Sequence, residues 1–453
     1  MSIQGSTIIN YKQDFNVEKQ YKSMYGEVRT DFKLIEKMFN LLPKNLLGNP
    51  RLTWCDPCCG NGYFSIYLYH QLFKNLTEIK ELKKRHHRIM QMLTMIELNP
   101  FHIPVLKNIF GEKSNIYQKS FLETNKKYDV IVGNPPFNSQ GLKKVPTQTK
   151  KSKKNDGKTA WIPFLKHSIN CLNDNGFLLF ITPSIWMKED HSCFQYITRY
   201  KIHKLHTMTN TETNHIFHKQ AQTPTCYFLL QKTIPTIASI LIYEEYLSSY
   251  TNYIISAKSI PLVAISIFNK LIPFVKKYGH IKVNKTSIRP SYKSFKLNEQ
   301  KTKEFPYPNI STCRLNKGSP YLVVKYSDKA LIYHKQPKLV LAHKMYGFPY
   351  LDTNGEYGIC NRDNYVIFDN LQNLLQLQQF LSTTFIMNLF EGTRYRMKYL
   401  ERYIFQHIPN INNISDFPQT INNQTISDYF GLNGEERKMI NNRYKKKYTF
   451  FKV

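Results

Sequence analysis

Between Leu52 and Leu230, short apolar runs alternate with longer amphipathic segments, and this rhythm narrows the accessible folds more than any other feature of the chain. Apolar runs of this length suit strands covered on both faces. The segments between them suit helices that cross from one strand to the next, which predicts a doubly wound, Rossmann-like α/β sheet. The expected strands are Leu52 to Cys55, Met92 to Ile96, Asn115 to Tyr117, Tyr128 to Val132, Phe177 to Thr182, Ile202 to Met208 and Thr225 to Leu230. Expected helices include Phe64 to Phe73, Pro100 to Ile109 and Ala160 to Leu172, each with one apolar face. Ligands of such a sheet collect beyond the carboxyl ends of its strands.

The 453 residues exceed what one small core organises. The texture changes after Gln231, where Pro235 and Pro261 punctuate aromatic-rich, poorly periodic sequence. We therefore expect a first domain over 1–235, a second, α+β domain over 236–412, and a basic tail over 413–453 packed on the second. Lys and Arg number 63 against 32 Asp and Glu, and the resulting charge of +31 calls for a polyanionic partner, nucleic acid first. No run of eighteen apolar residues points to a membrane, and the polar stretch Met1 to Asn16 lacks the apolar core of a secretory signal. An intracellular, unsecreted chain with its eight cysteines reduced is the expectation. The histidines show no metal-ligand spacing, so no metal is expected, and Trp54, Trp161 and Trp186 are read as core.

Three motifs sit where ligands should. Asp56-Pro57-Cys58-Cys59-Gly60-Asn61-Gly62 follows the first strand and opens into a helix. Gly60 and Gly62 allow backbone angles and a close approach that a Cβ would block. Asp56 would repel a phosphate but accept a hydrogen bond from an ammonium or hydroxyl, which suits a zwitterionic nucleoside. Taken alone, this stretch is equally an ordinary strand-to-helix turn. Glu97-Leu98-Asn99-Pro100 places a carboxylate at the next strand tip, able to accept both hydroxyls of a ribose. A charged insertion, Thr77 to Arg88, lengthens the gap between the two.

The most specific motif is Asn134-Pro135-Pro136-Phe137, directly after the strand Tyr128 to Gly133. The Asn134 side-chain oxygen and the Pro135 carbonyl form a pair of acceptors for the two protons of an amino group whose lone pair is delocalised into a ring. Pro135 and Pro136 stiffen the turn that holds them, and Phe137 offers a flat face for stacking a base.

The ordered set resembles the gamma class of adenine-specific DNA methyltransferases of restriction-modification systems. The resemblance implies a methyltransferase domain followed by a target-recognition domain, S-adenosylmethionine as cofactor, and transfer to the exocyclic amine of an adenine extruded from double-stranded DNA. It assigns Asn134, Pro135, Pro136 and Phe137 to catalysis. Thr30 joins the cofactor residues through Gly26-Glu27-Val28-Arg29-Thr30, similar to the motif that encloses the cofactor methionine. With it come Asp56, Pro57, Cys58, Gly60, Gly62, Glu97, Leu98, Ser120, Phe121 and Asn134 itself. The likeness continues through Ile181 to Trp186 and Phe217 to Lys232, and loosely over Pro337 to Pro409. Where the family places an Asp that contacts the cofactor adenine amino group, this chain has Ser120, a weaker and neutral partner.

For DNA we single out Lys143, Lys144, Lys150, Lys151, Lys153 and Lys154 on a polar loop after the catalytic turn, with Lys158 at its end, and Arg394 and Arg396 in the second domain. Solvated surface charge is an equal reading for any one of them. The resemblance also implies a monomer acting beside a separate cognate restriction endonuclease, since about twenty-five residues before Gly26 leave no room for a fused nuclease. Two other functions answer the same motifs: methylation of RNA or of a protein glutamine, and a catalytically weak DNA-binding relative.

Overall fold

The computed structural model describes residues 19–140, 158–221, 223–286, 288, 294–316, 319–343, 349–362, 364–396 and 400–443. Two compact units emerge. The first holds the chain up to Trp186 together with Asp190–Tyr243 and Asn252–Ile255, and the second holds Met187–Glu189, Glu244–Thr251 and the chain from Ser256 onward.

The first unit is built on a mixed sheet. Its strands are β1 (Trp54–Asp56), β2 (Leu93–Glu97), β3 (Ile116–Gln118), β4 (Tyr128–Gly133), β7 (Leu172–Pro183), β8 (Lys201–Met208) and β9 (Thr225–Gln231), extended by β10 (Ser239–Glu244) and β11 (Ser249–Ile254), of which Ser239–Tyr243 and Asn252–Ile254 belong to this unit. A small hairpin, β5 (Asn138–Ser139) and β6 (Lys158–Thr159), stands apart from it. The sheet runs β11-β10-β8-β9-β7-β4-β1-β2-β3. Strands β3, β2, β1, β4 and β7 are parallel neighbours, while β9 lies antiparallel between β7 and β8. This is the doubly wound, Rossmann-like architecture expected. All of β1 and β2 and nearly all of β4 are buried, as strands covered by helices on both faces must be. From β1 the chain steps one way to β2 and β3, then returns to lay β4 on the other side of β1. That reversal opens a crevice at the carboxyl ends of β1 and β4.

Local chemistry sets the helices around it. Gly62, at φ +84°, turns the chain from β1 into helix Tyr63–Asn75, whose Tyr63, Phe64, Ile66, Leu68 and Leu72 are buried. Helix His102–Phe110 stops at Gly111, at φ +92°. Thr209 caps helix Asn210–Ile216 in a reciprocal box with Glu212, which satisfies donors left open at a helix start. The charged insertion forms helix Leu82–Met92, which runs straight into the amino end of β2.

The second unit is α+β. Strands Asn284–Lys285, Asn364–Ile367, Lys338–Ala342 and Tyr350–Asp352 make one antiparallel sheet, and Leu297–Asn298, Ser319–Ser327, Tyr307–Asn316 and Gly358–Ile359 make a second, mixed one in which the last two pair parallel. Helices Ile265–Tyr278, Leu371–Leu381 and Thr384–Glu391 bury Phe268, Leu271, Leu374, Phe380, Phe385 and Phe390 in one core with Leu339, Leu341 and Ile367. Helices Asn423–Tyr429 and Gly434–Arg443 add Ile426, Met439 and Ile440 to that core. Among the described residues no helix is long and apolar enough to cross a membrane.

Candidate active site

A cavity of about 390 Å³ occupies the crevice and is walled by the turns that leave β1, β2, β3 and β4. From the β1 turn come Pro57, Cys58, Cys59, Gly60 and Asn61. The turn is tied to β2 by the Cys59 N–H, which donates to the Ile96 carbonyl at 3.1 Å. Gly60 sits at φ +50°, and a Cβ built on it would meet nothing within 4 Å, so the backbone angle selects glycine while the space beside it stays open. Gly62 differs: its Cβ would lie 2.9 Å from Leu106, so this glycine serves the close packing of helix His102–Phe110 and does not line the cavity.

Asp56 stands behind the wall. It is 1% exposed, and its Oδ2 accepts from the Ser65 hydroxyl at 2.8 Å while Oδ1 is buried with no partner among the described residues. Burial, reinforced by the charge of Glu97, pushes its carboxyl up to about 7. At the β2 tip Glu97 does line the cavity, with Oε2 accepting from Gly60 N–H and Oε1 from Asn99 N–H, both at 2.7 Å. Burial raises Glu97 as well, partly opposed by those two backbone bonds. Two buried carboxyls side by side repel each other, and a cationic ligand relieves that repulsion. Leu98, Ser120, Phe121 and Leu122 complete the wall on the β2 and β3 side. Leu98 and Leu122 are 52% and 40% exposed, apolar surface held open at the cavity.

The turn after β4 carries the sharpest geometry. Asn134 donates its Nδ2 protons to the Val28 carbonyl at 3.3 Å and to Thr30 Oγ1 at 3.1 Å. Because a backbone carbonyl only accepts, Val28 fixes which end of the carboxamide is nitrogen. The other end, Oδ1, is buried with no partner among the described residues, on a residue that lines the cavity. Pro135 and Pro136 line it too. The Asn134 carbonyl accepts from the Cys58 thiol at 3.3 Å, linking the β1 and β4 turns. Burial and nearby Asp56 push that thiol well up, so it remains a donor. Gly26, at φ +72°, backs Pro136 so closely that a Cβ would fall 1.8 Å from the Asn138 carbonyl oxygen.

Of the residues singled out in the sequence, Thr30, Pro57, Cys58, Gly60, Glu97, Leu98, Ser120, Phe121, Asn134, Pro135 and Pro136 are brought together around one cavity. Phe137 is not on its wall: it is 8% exposed and packs edge-on to Phe217, ring centroids 6.4 Å apart. Lys143, Lys144, Lys150, Lys151, Lys153 and Lys154 lie outside the described residues, whereas Lys158 is exposed on the cavity rim. In the second unit Arg394 is held by Glu391, with Nη1 3.0 Å from both carboxylate oxygens, and Arg396 is exposed.

The structure gives individual partners to neighbours of Thr30 in the Gly26 to Thr30 motif. Glu27 lines the cavity and accepts from Arg29 Nε at 3.2 Å, and it lies 3.0 Å from His102 Nε2. Burial alone would raise Glu27, but the bond and charge of His102, joined by Arg29, outweigh it and hold the carboxyl low. Glu27 and Arg29 flank Val28 in the segment that positions Asn134. Gln140, Thr159 and Ala160 also line the cavity through the β5–β6 hairpin.

Comparison with known proteins meets this geometry over the same stretch. Residues 60–217 match the family model of Eco57I restriction-modification methylase. The Type II methyltransferase M.VspI of Vibrio sp. (strain 343) is 28% identical over 179 residues, which cover 37% of this chain and only 39% of that relative's length. Among solved structures, the Type IIL restriction-modification enzyme MmeI in complex with DNA aligns over 95% of this chain and 73% of its own, at 14% identity and a TM-score of 0.47. A modification subunit of a putative type I restriction enzyme from Vibrio vulnificus YJ016 aligns over 48% of this chain and 47% of its own, at 15% identity and a TM-score of 0.36. The chain is thus similar to restriction-modification methylases over the segment that supplies Gly60, Glu97, Ser120 and Asn134 to the cavity.

Proposed function

We propose that the chain is a site-specific DNA methyltransferase that moves the methyl group of S-adenosylmethionine onto the exocyclic N6 amine of a flipped adenine. The observation that carries this reading is the Asn134 carboxamide, anchored through its nitrogen and presenting a buried, unpartnered oxygen. A buried acceptor left open costs on the order of 1–3 kcal/mol, which a donor brought by a ligand would recover. The cavity suits the cofactor on its own terms: Glu97 retains acceptor capacity for a ribose diol, the paired carboxyls favour a cation, and Leu98 and Leu122 offer apolar surface to a purine.

In this reading Asn134 Oδ1 and the Pro135 carbonyl accept the two amino protons of the target base, which localises the nitrogen lone pair and stabilises the positive charge that grows there. The bound cofactor supplies an electrophilic methyl on sulfonium. Thr30 and Val28 keep the acceptor aimed, and Cys58 holds the peptide behind it. The second unit would act in target recognition, with Arg394, Arg396 and the lysines between 143 and 158 contacting DNA, consistent with the charge of +31. The mark would shield DNA from a separate nuclease.

The test is methyl transfer from radiolabelled S-adenosylmethionine to duplex DNA, followed by nucleoside analysis, with the parent beside Asn134→Ala. N6-methyladenine and a loss of roughly 100-fold or more in kcat are expected, the scale set by removing one aimed acceptor or donor from a reacting group. Equal rates would overturn the assignment of Asn134. Label in cytosine, RNA or protein would overturn the substrate.

A further inference from the structure

We propose that His102 is a positioning residue: through Glu27 it braces the segment that aims Asn134, and so couples the turn after β2 to the acceptor at the end of β4. This rests on the methyltransferase reading above and adds a residue to it. The Val28 carbonyl and the Thr30 hydroxyl, which hold the Asn134 carboxamide, both belong to residues 26–30, and these lie in neither helix nor strand. No strand ladder or helical repeat therefore sets where the two anchors sit. Side chains have to do it, and Glu27 stands next to Val28.

Glu27 is engaged on both oxygens. Oε1 accepts the Arg29 Nε proton at 3.2 Å, and Oε2 lies 3.0 Å from His102 Nε2. A carboxylate only accepts, so Nε2 carries the proton of that contact. Arg29 belongs to the same short segment and travels with it. His102 does not, because it opens helix His102–Phe110, 75 residues further along the chain. That helix start is tied in turn to Glu97, the carboxylate assigned to the ribose. The His102 N–H donates to the Asn99 carbonyl at 3.2 Å, and the Asn99 N–H donates to Glu97 Oε1 at 2.7 Å. The Tyr21 ring packs edge-on to the imidazole, centroids 6.3 Å apart. A continuous set of bonds thus runs from Glu97 through Asn99, His102 and Glu27 to the segment that grips Asn134. The side chains of Glu27, Arg29 and His102 are at most 11% exposed, so water competes little for these bonds.

His102 also lines the cavity, and a direct contact with the cofactor is the rival role that the test separates. The readouts are methyl transfer from radiolabelled S-adenosylmethionine to unmethylated plasmid DNA and calorimetric titration with S-adenosylhomocysteine, both on the full chain. His102→Leu should lower kcat about tenfold, the scale of one hydrogen bond to a charged group, and change the dissociation constant by less than about threefold. His102→Gln, whose amide nitrogen can stand in for Nε2, should recover most of the rate. Glu27→Asp, one methylene short of its partners, repeats the test from the other end of the pair if thermal melting shows the Leu variant unfolded. Placed in Asn134→Ala, His102→Leu should cost less than about twofold, because the brace then has nothing to aim. A full tenfold loss in that background, no recovery with Gln, or a loss confined to the dissociation constant overturns the inference and leaves the Asn134 reading intact. Absence of transfer and of heat with the parent chain overturns that reading instead.

Discussion

Thr30 never touches the reacting atoms in the proposed reaction, yet replacing it should slow methyl transfer. Asn134 is useful only in the orientation that leaves Oδ1 open as an acceptor, and two hydrogen bonds from Nδ2 hold that orientation, at 3.3 Å to Val28 O and 3.1 Å to Thr30 Oγ1. Rotating the carboxamide by half a turn would set Oδ1 against the Val28 carbonyl and aim two donors at a target that is itself a donor. Thr30→Val keeps the shape of the buried side chain and deletes one acceptor. The bond is neutral and worth about 1 kcal/mol net, so kcat should fall about fivefold. Thr30→Ser, which keeps the hydroxyl, should restore most of the rate. Single-turnover transfer to duplex DNA reads the effect, with thermal melting of each variant to confirm a folded protein. The loss belongs to kcat, because the aim of the acceptor matters as the nitrogen gains charge. An unchanged kcat in Thr30→Val, or a loss confined to the KM for cofactor, would refute the reasoning.

Other outcomes follow from the same structure. Asp56 has its folded-state carboxyl near 7 against an ordinary 3.8, so its contribution to stability is complete below about pH 4 and is lost as pH rises through 7. The ceiling is roughly 4 kcal/mol at 1.36 kcal/mol per unit, and Asp56→Asn should flatten the thermal midpoint between pH 4 and 8; an unchanged slope would contradict the burial argument. In the second unit Lys338 and Asp352 pair at 2.5 Å with side chains 0% and 3% exposed. Lys338→Met strands the carboxylate and should cost roughly 3–5 kcal/mol in urea unfolding, and a loss below about 1 kcal/mol would refute the pair's role. Asp352 also accepts from the Glu356 and Tyr357 amides, so proteolysis of the Gly355 to Gly358 turn should accelerate in the same variant.

Strands β1, β2 and β4 were legible because their apolar runs are buried on both faces, and each observed strand of β1 to β4 overlaps its expected range, whereas β10 and β11, half exposed, were not anticipated. Ends shifted where pairing decides. Strand β7 begins at Leu172, opposite Tyr128, five residues before the expected start at Phe177. The hairpin β5–β6 is two residues on each side and has no periodicity to detect. At the site, position along a strand tip was legible and direction was not. Asp56 and Glu97 look alike in sequence, but Ser65 and burial turn Asp56 inward while two backbone amides hold Glu97 at the cavity. The Phe137 ring faces Phe217, a partner from a helix end 80 residues on that no local pattern announces. The second unit's sheets join strands from distant positions, such as Asn284–Lys285 with Asn364–Ile367, and spacing alone does not encode such pairs.

Helix Leu82–Met92 leads into the amino end of β2, and Arg88 Nε ties it to the Pro50 carbonyl ahead of β1, at the opposite edge of the sheet from the cleft. Contour length added there is slack that the chemistry never feels. The exposed residues Thr77, Glu78 and Lys80 that lead into it are therefore a practical port for a fluorophore, an affinity peptide or a surface tether on a working molecule. The same graft between Gly133 and Asn134 would break the grip on which the proposed reaction depends.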